Sequence, residues 1–329
     1  MKLIIGFFLL VATHLFAQSN DLISLKTNKT NPGNLNGFIH IPKEKTQKEK
    51  NSNSAKKPLV VVLHGCLQNA ETVARQAGWN KLADEYGFYV LYPQQKMINN
   101  PNKCFDWFIK NDVTKDKGEV LSIKQMVDFA VDNFAVDTNK IVVYGLSAGA
   151  AMSVALLADY PQTFEAGAIL AGGAFFPTDN PLSAMKTMTS PDDRSPQELG
   201  ATVRAQNPNY TGRYPRLVVM HGTSDLVVNI KNSQQLVQQW TYLHQTDAIH
   251  NQKIVNFNQK PNITRFSYYN KVKKEVVIYY EVKNLAHALM IDPGTGAQQG
   301  GVIGLFAVDK DFFSTYWIAL DLGLIKISN

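Results

Sequence analysis

The chain has 329 residues, 45% of them hydrophobic and 18% charged, the composition of an ordinary globular protein, which excludes a disordered or fibrous chain. Its formal net charge is +6, but the lysines crowd into 43–57 and 271–274 without interleaved aromatics, so no nucleic-acid partner is expected. Met1 and Lys2 precede an apolar run from Leu3 to Phe16, broken by Thr13 and His14 and followed by Ala17. That pattern predicts a signal peptide over residues 1–17, too short to span a bilayer. With no later apolar stretch long enough to span, the expectation is a secreted or periplasmic protein without integral membrane association. The two cysteines, Cys66 and Cys104, are an even count in an exported chain, which favours a disulfide.

Downstream, Gly37 to Pro42 alternates like an edge strand, so residues 18–57 read as an N-terminal strand and polar loop. Pro58 to Leu63 is a continuous apolar, β-branched run of the kind buried on both faces of a parallel sheet. Glu71 to Tyr86 has helical spacing, Phe88 to Tyr92 reads as a strand, and Ser122 to Phe134 carries an apolar stripe expected of a helix. Lys140 to Tyr144 is a further buried strand and Ala150 to Ala158 a helix of small and apolar residues. Gly167–Leu170 and Arg216–Met220 give two more strands. Between them, 175–215 is rich in Pro, Asp and Asn and reads as an insertion over the site rather than a domain. Lys231 to Leu243 is helical, Glu275 to Val282 a strand, and Asp309 to Leu324 reads as a closing helix. Alternation of strand and helix predicts the α/β class, a mostly parallel sheet with helices on both faces, in one catalytic domain over 58–329.

Gly145-Leu146-Ser147-Ala148-Gly149 matches G-x-S-x-G and lies between a predicted strand and helix, the context of the nucleophile turn in the α/β-hydrolase fold. A serine hydroxyl is a poor nucleophile at neutral pH. It needs a base, and the base needs a third group to fix its tautomer. Asp225 follows the strand ending in Met220 and stands where the acid of this fold belongs. Of His244, His250 and His287, only His287 follows a predicted strand onto a loop at the same sheet edge, so His287 is the expected base. His221 reads as a structural residue at a strand end. The developing oxyanion needs donors, expected from the backbone N–H of Ala148 and of Cys66 in the His64-Gly65-Cys66-Leu67-Gln68 loop. No metal cluster or cofactor motif is present in the sequence, and this chemistry requires none.

These residues, with Cys104-Phe105-Asp106-Trp107-Phe108, Gly118-Glu119, His221 to Asp225 and His287-Ala288, resemble those of the extracellular poly(3-hydroxyalkanoate) depolymerases and the related feruloyl and acetylxylan esterases. The resemblance spans about residues 58 to 290. It implies a Cys66–Cys104 disulfide, oxyanion donors at Cys66 and Ala148, a triad of Ser147, Asp225 and His287, and Trp107 in the acyl-binding cleft. Two departures stand out. The family carries Gly before the catalytic histidine and Trp two residues after it, whereas this chain has Ala286 and Leu289, which makes Leu289 a candidate substrate contact. The chain also ends about 40 residues after His287, without the linker and adsorption domain of polymer-degrading members. The expectation is a secreted serine esterase acting on hydroxyalkanoate-type or other short-chain esters, faster on soluble esters than on solid polymer. The alternative is a feruloyl or acetylxylan esterase acting on polysaccharide esters.

Overall fold

The computed structural model describes residues 22–26, 29–43, 55–176 and 180–326. The leader predicted over 1–17 therefore lies outside the described residues. Among the described residues the strands are β1 (Ile23–Ser24), β2 (Asn36–His40), β3 (Lys57–Leu63), β4 (Tyr89–Gln94), β5 (Val136–Leu146), β6 (Ala166–Leu170), β7 (Arg216–Gly222), β8 (Gln252–Ile254), β9 (Ile263–Tyr269) and β10 (Glu275–Val282), with β11 (Leu289–Ile291) and β12 (Ala307–Asp309) as a separate pair. The main sheet runs β1-β2-β4-β3-β5-β6-β7-β10-β9-β8. Strands β4, β3, β5, β6, β7 and β10 are parallel, flanked by antiparallel β2 on one side and β9 on the other. This is the expected α/β-hydrolase arrangement.

The helices are α1 (Ala70–Ala77), α2 (Trp79–Tyr86), α3 (Gly118–Asn133), α4 (Ala148–Asp159), α5 (Pro181–Thr189), α6 (Pro196–Gln206), α7 (Lys231–Leu243) and α8 (Ser314–Asp321). They cover both faces of the sheet. Leu59, Val61 and Leu63 of β3 pack into one core with residues of α3, α4 and α7, while Val60 and Val62 enter the other with α1, α2 and α8. Burial on both faces explains why the strand reads as an unbroken apolar run.

Three elements differ from expectation, and the 175–215 segment carries helices of its own. The helix read over 71–86 is two helices, because Gly78 takes φ 69° and caps the first, a conformation glycine adopts without steric cost. Strand β2 is not the edge, since the two residues of β1 pair outside it. The 175–215 segment holds α5 and α6, nucleated by local caps: Asn180 accepts from the Ser183 amide, and Ser195 and Glu198 form a capping box. The closing helix is only α8, because Asp309 ends β12, paired in parallel with β11, and the amides of Lys310 and Phe312 donate to the Ile291 carbonyl instead.

Asp159, at the end of α4, is fully buried, and neither carboxylate oxygen has a hydrogen-bond partner. Burial and the nearby charge of Asp116, against a lowering effect of Lys115, push its pKa up to about 8. The fold thus favours the protonated acid. The penalty is absent below the unfolded carboxylate pKa and grows as pH rises towards 8, on the order of a few kcal/mol at its fullest. Asp159→Asn is expected to raise the unfolding midpoint at pH 8 and to flatten its decline between pH 5 and 8. Parallel stability profiles for the two proteins would refute the assignment.

Candidate active site

The C-terminal ends of β3, β5, β7 and β10 deliver the predicted residues to one edge of the sheet. Ser147 sits between β5 and α4 at φ 57°, ψ −119°, a region that L-residues occupy only when the surroundings enforce it. The enforcement is visible in the glycines on either side. A Cβ on Gly145 would lie 2.2 Å from the Gly149 carbonyl oxygen, and one on Gly149 would lie 2.4 Å from the Leu63 carbonyl oxygen. The Ser147 amide donates to the Leu170 carbonyl at 2.9 Å, tying the turn to β6.

Asp225 and His287 come together across 62 residues of chain. The Nδ1 of His287 lies 2.7 Å from Asp225 Oδ2, so Nδ1–H donates to the carboxylate and Nε2 is left with its lone pair. Asp225 is held from three other directions. Its Oδ1 accepts the amides of Val227 and Val228, each at 2.9 Å, and its Oδ2 also accepts from His221 Nε2 at 3.1 Å. Burial alone would raise the Asp225 pKa, but the hydrogen bonds from His221, His287 and Val228 and the charge of His287 outweigh it and hold the carboxyl well below the usual range. His221 Nε2 also faces the Val228 carbonyl at 2.9 Å. Both of its neighbours are acceptors, so Nε2 carries the proton. His221 is thus more than a strand-end residue: it orients the acid. Its position four residues before Asp225 at the end of β7 was the only signal available in the sequence.

Ser147, His287, Cys66, Ala148 and Trp107 line one cavity of about 460 Å³. Ala148 opens α4, where the first amides of a helix have no carbonyl four residues back. Cys66 is disulfide-bonded to Cys104, and the loop carrying it is fixed by several further bonds. The Gly65 amide donates to Gln68 Oε1 at 2.8 Å, and the Leu67 amide to the Asn102 carbonyl at 2.7 Å. His64 Nδ1 donates to the Gly65 carbonyl at 2.8 Å, while Nε2 accepts the Gln95 amide at 3.1 Å. Burial foremost, helped by the charge of Lys103 and opposed by the bond to Gly65, brings the His64 pKa down to about 4. This histidine is a neutral structural link.

Glu119 is a buried hub that the sequence reading placed in a motif without giving it a role. Its Oε2 accepts the Asp106 amide at 2.9 Å and its Oε1 accepts from Gln95 Nε2, which also donates to the Cys104 carbonyl at 3.2 Å. Burial, reinforced by the charge of Asp106, pushes its pKa well above the usual carboxyl value. Together Glu119 and Gln95 hold the Cys104 side of the disulfide.

Leu289 is not a substrate contact. It is fully buried in the core, on β11, and the cavity lining does not include it. The aromatic beside the base is Phe306, which lines the cavity and meets the His287 ring at 5.7 Å, nearly perpendicular. Trp107 lines the same cavity and packs edge-on against Phe108 at 5.6 Å.

The Cys66–Cys104 bond closes a loop with a sequence separation of 38, worth about 4 kcal/mol in the chain-entropy account. Reduction is expected to lower the thermal midpoint and ester turnover together, because the same bond pins the backbone of Cys66 at the cavity. A melt and a soluble-ester assay with and without reductant test this. Full turnover in the reduced, folded protein would show that the loop holds its shape unaided.

A family model described as Esterase PHB depolymerase matches residues 50–254. The poly(3-hydroxyalkanoate) depolymerase C of Paucimonas lemoignei is 37% identical over 303 residues, covering 90% of this chain and 68% of that protein. The feruloyl esterase B of Talaromyces stipitatus is 33% identical over 219 residues, covering 64% of this chain and 58% of that protein. Among solved structures, the acetyl xylan esterase from Aspergillus awamori superposes with a TM-score of 0.69 at 22% identity, over 81% of this chain and 93% of that one.

Proposed function

Because the chain belongs to the Esterase PHB depolymerase family of carboxylic ester hydrolases, we propose a secreted serine esterase that forms an acyl-enzyme on Ser147. The observation that carries this reading is the 2.7 Å bond between Asp225 and His287 beside a cavity that Ser147 shares. In the proposed cycle, His287 Nε2 takes the Ser147 hydroxyl proton as Oγ attacks the ester carbonyl. The Cys66 and Ala148 amides hold the oxyanion. Collapse expels the alcohol, which receives the proton from His287. Water, deprotonated by the same imidazole, then frees the acid and restores Ser147. Asp225 stabilises the imidazolium in both halves. Export is supported by the apolar leader and by the disulfide, a bond that persists in oxidising compartments.

The substrate reading rests on the cavity walls. Trp107, Phe108, Met185, Met188, Val228 and Phe306 make them mainly apolar, as suits an aliphatic acyl chain better than a hydroxyl-rich sugar. Leu67, Leu182, Leu226 and Leu305, each adjoining a lining residue in the chain, are 58%, 78%, 94% and 66% exposed. The expectation of weak attack on solid polymer rested partly on Leu289, and that support is gone. Hydroxyalkanoate esters are the proposed substrate. A soluble hydroxybutyrate trimer should be cleaved with kcat/KM at least about tenfold above that for acetylated xylan or a feruloylated sugar, the order of discrimination an apolar pocket gives. Faster release of acetate or ferulate would favour the polysaccharide-esterase reading instead.

A further inference from the structure

At the opposite edge of the sheet, by the N-terminal ends of β7 and β10, a second cavity of about 570 Å³ lies among the end of α6, the 207–215 loop, the end of α7 and the β9–β10 turn. Arg204, Arg213 and Lys271 line it, and no carboxylate does. Arg213 is paired with Glu165 at 3.1 Å. Among the described residues neither Arg204 nor Lys271 forms an ion pair. The Arg204 guanidinium lies 5.3 Å from the Tyr242 ring centroid, a contact that orients a cation without neutralising it. His244 also lines the cavity. Its Nε2 donates to the Pro215 carbonyl at 3.1 Å. Burial first, opposed by that backbone bond, and then the charges of Arg213, Lys274 and Arg216 bring its pKa down to about 4. The Tyr210 and Tyr214 rings, 5.4 Å apart and steeply inclined, supply apolar wall.

We propose that this cavity binds an organic carboxylate, with Arg204 and Lys271 receiving the anion and the two tyrosine rings packing its carbon skeleton. Unneutralised cations in a concave site select anions, and a guanidinium matches the two oxygens of a carboxylate. The ring walls favour an anion with a carbon body over a bare inorganic one. Two sources share this chemistry: a hydroxy acid freed by ester hydrolysis, a source that rests on the proposed function, and a uronate of an acidic polysaccharide. The site itself is testable without turnover.

The whole protein is titrated with 3-hydroxybutyrate, with digalacturonate and with the neutral amides of both, while the His244 ring is followed by NMR. Either carboxylate should saturate the site and raise the His244 titration midpoint from about 4, since a bound anion favours the imidazolium. The amides should do neither, and the tighter carboxylate identifies the source. The double variant Arg204→Ala/Lys271→Ala should weaken binding by about tenfold or more and leave p-nitrophenyl butyrate turnover unchanged. Amides binding as tightly as acids, inorganic phosphate binding as tightly as either carboxylate, or an unmoved His244 at every carboxylate concentration would overturn the proposal. A protein that binds carboxylate here yet hydrolyses no ester would leave this site standing and remove the proposed function.

Discussion

Ser147→Ala is expected to lower ester turnover by about four to six orders of magnitude while leaving the unfolding midpoint nearly unchanged. The size follows from the cooperative nature of a nucleophile–base–acid set, in which loss of the nucleophile costs about as much as loss of all three groups. What remains would be the contribution of the oxyanion donors and of substrate binding. The fold should survive because the turn is enforced from outside Ser147: Gly145 and Gly149 pack against backbone on both sides, and the tie to Leu170 uses the residue 147 amide, not its side chain. Single-turnover and steady-state assays on a soluble ester, with circular dichroism melts, measure both halves. Activity within about tenfold of the unaltered protein would mean that the nucleophile lies elsewhere.

Asp225→Asn is expected to cost about 10⁴ in kcat, the penalty for holding the imidazole in the wrong tautomer. The surroundings make that outcome specific. Oδ1 accepts two amides, from Val227 and Val228, so the carboxamide oxygen is drawn to that side. Its NH₂ group is then left facing His287 Nδ1 and His221 Nε2. His287 would have to accept at Nδ1, carrying its proton on Nε2, the nitrogen needed to take the Ser147 proton. His221 cannot adjust freely, because its Nε2 also faces the Val228 carbonyl at 2.9 Å. Asp225→Asn should therefore lose activity and some stability together. Near-normal turnover would place the acid on another residue.

The sequence made the site's scaffold legible wherever one local pattern determined the structure. The apolar run of β3, the strand–turn–helix around Ser147 and the bounds of α7 are of this kind: each records burial on two faces, a steric need for glycine, or a helical stripe. Features that depend on distant partners were not legible. Gly78 looks like an ordinary interruption in helical spacing until its φ of 69° is seen, and β12 exists because β11 is there to pair with it. Leu289 was assigned by counting from His287, yet the aromatic beside that histidine is Phe306, brought back by the same β11–β12 pairing. Glu119 stood in the Gly118-Glu119 pair, but nothing local marked it as a buried hub. A buried acid is recognised only from the amides around it, and those come from residues 95 and 106.

The most direct test of the account is covalent labelling by a fluorophosphonate, read by intact mass and peptide mapping. One adduct per chain is expected, on Ser147, formed more slowly in Asp225→Asn and absent from Ser147→Ala. An adduct on any other residue, or stoichiometric labelling of Ser147→Ala, would contradict it.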